Sequence, residues 1–246
     1  MRSARRSEIL LLAVLAPFAF VVICIFVLFR AYWIPTGSMK PGLMTGDYLL
    51  VSRAAYGFPA LTCSVSDCTD TIGVLGQRPA RGDVVTFVHP TTDKHFIKRV
   101  VGMPGDTVQM KEGEVYLNDA ALNRDARGVF EETYQLLDGY LPCSNAPVSE
   151  GETCEKDQYL EVLPNGRAYL TLSVSDGLRA DDTAKFVVPE GHVFVMGDNR
   201  DNSVDSRFPV VSGGIGFVPI KNIIGRAELI VFSLKGREGR VFRWVQ

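Results

Sequence analysis

Ser38 and Lys98 are the residues of this chain whose settings point most directly to chemistry. Ser38 sits in Pro35-Thr36-Gly37-Ser38-Met39, just after a membrane-length apolar segment. A glycine before a serine lets the backbone turn tightly and present the hydroxyl. Lys98 sits in His95-Phe96-Ile97-Lys98-Arg99-Val100-Val101-Gly102. Strand alternation puts Phe96, Lys98 and Val100 on one face. An amine held on an apolar face loses hydration, which favours its neutral form, and a neutral lysine is a base. Lowering an ordinary lysine pKa of ~10.4 by about three units requires the charged form to be destabilised by ~4 kcal/mol. Burial beside Phe96 and Val100 supplies a destabilisation of that kind. A serine needs such a base to become a nucleophile, so the pair predicts acyl transfer at a membrane surface. The Ser38 N–H and the Thr36 hydroxyl are the candidate donors to a developing oxyanion.

A third run, Gly197-Asp198-Asn199-Arg200-Asp201-Asn202-Ser203-Val204-Asp205-Ser206-Arg207, has the Gly, Asp and Asn density of a loop. In it Ser203 is the candidate for hydrogen-bonding the Lys98 amine. Asp205, Arg207 and Arg99 are expected to form an ion-pair cluster that locks the loop to the Lys98 strand. The run resembles a calcium loop only loosely, because the distal glutamate of that pattern is missing. A Ser-His-Asp triad is the rival way to activate Ser38. Of the three histidines, His95 lies near Lys98 but on the opposite strand face, and there is no G-x-S-x-G elbow.

These residues need elements to hold them. Residues 9–29 form a stretch of 21 residues without a charge. As a helix at about 1.5 Å per residue it spans ~30 Å, one bilayer core. Arg2, Arg5 and Arg6 precede it, and Tyr32 and Trp33 suit an interfacial belt. The run is longer than a cleaved leader's ~7–15 apolar residues and no small-x-small site follows it, which favours an uncleaved anchor. The expected organisation is a cytoplasmic tail (1–8), a single transmembrane helix (9–29) and an extracytoplasmic domain (30–246). In that domain, strands are predicted over 46–51, 83–88, 95–101, 192–196 and 223–234. Hairpins are predicted around Glu112-Gly113-Glu114 and Pro164-Asn165-Gly166. The fold class is mainly β: an antiparallel sheet with a β-rich insertion at 119–185.

Composition narrows the partners. The charge is nearly balanced, 26 Lys+Arg against 28 Asp+Glu, and no basic patch asks for nucleic acid. Of five cysteines, Cys24 falls in the apolar span. The others form two local pairs, Cys63/Cys68 and Cys143/Cys154, suited to disulfides in an oxidising compartment. Three pairings are open, the local one preferred for its short loops. A zinc site is the weaker rival, since neither pair has C-x2-C spacing. No metal or cofactor is implied.

The runs P-T-G-S-M-K-P, R-G-D-V-V-T-F, F-I-K-R-V-V-G-M-P-G-D and G-D-N-R-D-N-S-V-D-S-R resemble, in order, those of the type I signal peptidases. The resemblance implies Ser38 as nucleophile, Lys98 as general base, Ser203 as the hydroxyl orienting the lysine and Thr36 as an oxyanion donor. It implies Ile34, Met39, Leu43, Phe96 and Ile97 as lining for small apolar pockets, and Gly197, Arg99, Asp205 and Arg207 as structural. It further implies cleavage of secretory preproteins after small-x-small sequences on the outer face of a bacterial cytoplasmic membrane. The expected partners are then signal peptides, membrane lipid and the secretion machinery. A pilin-maturation peptidase with one dedicated substrate and a self-cleaving repressor share the Ser/Lys chemistry. The full G-D-N-R-D-N-S run argues against the first, and the anchor without a DNA-binding domain argues against the second. A non-catalytic anchored binding protein is the alternative of another class. Residues 119–185 match no motif.

Overall fold

The computed structural model describes residues 15–17, 26–57, 77–135, 142–174, 180–234 and 239–246. Of the predicted span 9–29, residues 15–17 and 26–28 are helical and Phe29 already opens the first strand; the rest lies outside the described residues. Among the described residues no helix is long and apolar enough to cross a membrane. Cys63 and Cys68 also fall outside the described residues.

The strands, in chain order, are β1 (Phe29–Trp33), β2 (Asp47–Ser52), β3 (Val84–Val88), β4 (His95–Gly102), β5 (Thr107–Lys111), β6 (Glu114–Leu117), β7 (Ala120–Ala121), β8 (Asn123–Thr133), β9 (Thr153–Val162), β10 (Ala168–Ser173), β11 (Phe186–Val187), β12 (His192–Met196), β13 (Val218–Pro219), β14 (Ile223–Ser233) and β15 (Arg243–Trp244). The principal sheet runs β1-β2-β14-β3-β4-β12-β13, with β15 added to β14. Its strand pairs are antiparallel. Smaller sheets are ordered β10-β9-β8 and β11-β5-β6-β7. Both predicted hairpins are present, as β5–β6 and β9–β10.

The central strands read as nearly unbroken apolar runs because both of their faces are covered. In β12, Val193 and Val195 pack into one buried cluster with Val85, Phe87 and Val100, whereas Phe194 and Met196 pack into another with Val101 and Val108. A third cluster joins Ile34, Met39 and Leu43 to Leu49, Val51 and Ile230 of β2 and β14. Lys98 therefore lies on an interior strand, flanked by Phe96 and Val100 and directly opposite Val85.

The β8–β10 sheet falls within the predicted insertion 119–185. Near its far end Cys143 and Cys154 are joined in a disulfide. Two buried charge clusters tie this sheet to the main body. Arg200 donates to Glu161 of β9 at 2.5 Å, and the Tyr169 hydroxyl of β10 donates to the same carboxylate at 3.1 Å. Glu132 of β8 accepts from Lys40 at 2.5 Å and from Lys156 at 2.8 Å.

Candidate active site

Ser38 and Lys98 meet across 60 positions of sequence. The Lys98 amine donates to the Ser38 Oγ at 2.6 Å and to the Ile97 carbonyl at 3.0 Å. Both residues are buried, at 3% exposure for Lys98 and 8% for Ser38. Burial pushes the Lys98 pKa down to about 8; the carboxylates of Asp205 and Asp198 pull it back up, and the Arg207 cation opposes them.

Ser38 lies in a turn between β1 and β2. The turn's base is closed by Ile34 donating to the Asp47 carbonyl and Gly46 donating to the Ile34 carbonyl, each at 2.9 Å. Asn199 fastens it to the 197–207 loop: its backbone N–H donates to the Ser38 carbonyl at 3.1 Å and its side-chain amide to the Gly37 carbonyl at 3.0 Å. Gly197 sits where these segments touch. A Cβ there would stand 2.2 Å from the Ser203 Oγ and 2.6 Å from the Ser38 carbonyl oxygen, so only glycine fits.

The charged residues pair differently from the single cluster expected. Arg99 donates twice to Asp198, at 2.8 and 2.7 Å, and not to Asp205. The register explains it: Met196 stands opposite Arg99 on β4, so Asp198, two residues on, emerges beside that guanidinium. Asp205 is held by Arg207 at 2.9 Å and by the Gly197 N–H at 3.0 Å. Burial pushes the Asp205 carboxyl up, but Arg207 and these donors hold it below its usual range.

The remaining predicted residues are distributed unevenly. Ser203 is buried beside Gly197, but among the described residues its Oγ makes no hydrogen bond of good geometry; the Ile97 carbonyl takes the second lysine proton instead. It is still close enough to Asp205 to be a minor influence on that carboxyl. Thr36 is exposed next to the Gly37-Ser38 peptide. Ile34, Met39 and Leu43 are in the buried core, whereas Phe96 and Ile97 are partly exposed. Asp198, Asn199 and Arg200 stood in a recognised run without assigned roles. Glu132 and Glu161 carried no sequence signal.

At the centre of the site a buried amine lies within hydrogen-bond reach of a buried hydroxyl, with the 197–207 loop packed behind them. A family model for signal peptidase, peptidase S26, matches residues 6–232. Signal peptidase I of Rickettsia typhi is 36% identical over 236 residues, covering 89% of this chain and 80% of that protein. The Rickettsia akari protein of the same name is 35% identical over 230 residues, covering 87% and 77%. A solved signal peptidase I from Enterococcus faecalis V583 aligns at 27% identity over 61% of this chain and 97% of that one, with a TM-score of 0.32. This chain belongs to the signal peptidase S26 family and is a serine peptidase.

Two outcomes follow from the site's packing. Gly197→Ala should lower kcat/KM by about 10²-fold, the scale of a ~1 Å misplacement of reacting groups; peptide-cleavage kinetics on the folded variant check this. Lys98→Met should be inactive yet melt higher than the parent at pH 7. Between the folded pKa of about 8 and the unfolded value near 10.5, the unfolded chain holds the extra proton. The parent's penalty is therefore full below about pH 8, and the difference in Tm should narrow as pH rises from there toward 10.5.

Proposed function

We propose that this chain removes signal peptides from exported preproteins, with Ser38 as nucleophile and Lys98 as general base. The observation that carries the reading is the 2.6 Å contact between a buried amine and a buried hydroxyl. Lys98 donates along that line when charged. Once neutral, it accepts the Ser38 proton along the same line as Oγ bonds to the scissile carbonyl carbon. The Ser38 N–H and the exposed Thr36 hydroxyl then face the carbonyl oxygen as its charge develops. Collapse of the tetrahedral intermediate breaks the C–N bond, and the lysine ammonium gives its proton to the departing amine, the new N-terminus of the mature protein. The signal peptide remains as a serine ester. Lys98, neutral again, takes a proton from water as that water attacks the ester. The Oγ–carbon bond breaks, the proton returns to Ser38, and the signal peptide leaves with a free carboxylate.

Ser203 packs behind the dyad as a positioning residue, and Gly197 allows its close approach. Phe96 and Ile97, the two partly exposed residues just before Lys98 on β4, offer shallow apolar surface for the small side chains before the cut. An extended substrate over them excludes water and keeps the amine neutral.

The membrane side of the reading is supported by a row of aromatic residues. Trp33 stands opposite Tyr48, and Tyr48 opposite Phe232, across β1, β2 and β14. Trp33 and Phe232 are about half exposed, and nearby Phe242 and Trp244 are exposed too. Such residues suit an interface where one end of the ring is apolar and the other wet. In this arrangement residues 1–8 lie in the cytoplasm, the apolar segment from residue 9 crosses the membrane and ends before β1 opens at Phe29, and the domain that follows works on its outer face.

Cleavage of a preprotein with an Ala-x-Ala end tests the reading. Ser38→Ala and Lys98→Ala should each lower kcat by at least about 10³-fold without unfolding the domain, the scale of losing a nucleophile or its base. Parental turnover by either variant would end the dyad assignment. The rate should also rise about tenfold per pH unit up to about pH 8 and then level, as the lysine loses its proton. An initial-rate series from pH 5.5 to 9.5 reads this directly.

A further inference from the structure

The 119–185 region does more than decorate the domain. Its strand β8 supplies Glu132, whose carboxylate is buried between Lys40 at 2.5 Å and Lys156 at 2.8 Å. Burial pushes that carboxyl up, but the two ammonium groups hold it below the usual range, so it sits there as an anion. Lys156 belongs to β9 of the same small sheet, whereas Lys40 is two residues from Ser38. The insertion therefore reaches the nucleophile's own turn through one charged contact spanning 92 positions.

The path of the Lys40 side chain gives the contact its consequence. The stem folds back along Gly37, so that a Cβ on Gly37 would lie 2.9 Å from Lys40 Cε and 3.2 Å from Nζ. The lysine thus lies directly against the backbone that carries the Ser38 N–H. Asn199 holds that backbone from the other partner loop, through the carbonyls of Gly37 and Ser38. The Gly37 carbonyl shares a peptide plane with the Ser38 N–H and accepts from Asn199 and from the Lys40 N–H at 3.1 Å; the Lys40 stem adds a further restraint on the Gly37 side of that plane. That restraint is stiffest while the amine at the stem's far end is held, and Glu132 holds it at 2.5 Å. Charge-assisted hydrogen bonds are shorter and stronger than neutral ones, so the held amine stays close to its carboxylate.

We propose that Lys40 and Glu132 are positioning residues for the nucleophile: the insertion, through Glu132, pins the Lys40 side chain under Gly37 and so sets the orientation of the Ser38 hydroxyl and N–H. The inference rests on Ser38 being the nucleophile. Because the contact lies behind the turn, it acts on the chemical step and not on substrate affinity. Because neither Lys40 nor Glu132 figures among the groups that set the Lys98 proton affinity, the pH midpoint should not move with it.

The test uses the full chain in detergent with an Ala-x-Ala preprotein. Lys40→Met leaves Glu132 paired with Lys156, a charge-balanced arrangement that favours a folded variant. It is expected to lower kcat at least fivefold, with KM within twofold of the parent and the midpoint near pH 8 unchanged. Glu132→Gln should do the same. The double variant should be no slower than the worse single, since both changes break one link. Melting curves establish the folded fraction by which kcat is normalised. If Glu132→Gln does not fold, Lys40→Met alone decides. A kcat loss below fivefold in Lys40→Met, a change confined to KM, or losses that multiply in the double variant would each overturn the proposal. Ser38→Ala runs beside them: retained cleavage there defeats the dyad itself, whereas a dead Ser38→Ala with a fully active Lys40→Met defeats only the role of Lys40.

Discussion

The centre of the site is organised around one amine kept out of water, with arginines taking up the carboxylates nearest to it. Desolvation lowers the Lys98 pKa, and two carboxylates within its reach, Asp198 and Asp205, work the other way. Left free, either would hold the lysine protonated and idle. Each is instead engaged by a guanidinium: Asp198 by Arg99 through two hydrogen bonds, Asp205 by Arg207 through two more. The charged residues around the site thus have an electrostatic task as well as a structural one. They hold the loop in place while spending their negative charge on arginines, so that burial remains the dominant influence on the lysine.

The two halves of the dyad are positioned by different means. Lys98 stands on a strand with neighbours on both sides, facing Val85 and flanked by Phe96 and Val100, so packing alone fixes its stem. Ser38 stands on a turn, outside any strand ladder, and two sets of polar contacts and one close approach hold it. The Ile34–Asp47 and Gly46–Ile34 bonds close the base of the turn. Asn199 grips its carbonyls. The absence of a side chain at Gly197 lets the loop press against it. A site built half on sheet and half on turn needs its polar supports on the turn side, and that is where they are.

The same contrast explains what could be read from the sequence. The strands of the principal sheet announced themselves because their faces are buried, and the serine and lysine runs stood out against that background. The β8 strand Asn123–Thr133 was missed because most of its residues are exposed; a ribbon wet on both faces has no alternation to read. Arg99 was matched to Asp205 when its partner is Asp198, because nearness in space there comes from the β4–β12 register, which no local pattern encodes. Glu132 and Glu161 look like ordinary surface acids on polar strands, and only the fold buries them. Of the residues expected to line pockets, Phe96 and Ile97 are partly exposed, whereas Ile34, Met39 and Leu43 are buried because the turn folds back over β2 and β14.

The small sheet joins the body through apolar packing of Leu163 and Tyr169, through a Leu172–Asn199 backbone bridge and through two buried ion pairs, and the ion pairs have a physical reading of their own. Replacing a buried ion pair by apolar residues is often neutral or stabilising, so stability alone gives little reason to keep two of them. Apolar contacts, however, tolerate sliding: a Leu on a Val patch is nearly as well satisfied after a shift of several tenths of an ångström. A carboxylate gripped by a lysine or arginine is not, because it loses much of its interaction once the geometry fails while its desolvation cost stays. Glu161 grips Arg200 inside the loop that carries Ser203, and Glu132 grips Lys40 beside Ser38. Both contacts sit where a small displacement would part the Ser38 hydroxyl from the Lys98 amine, which is where intolerance of sliding matters.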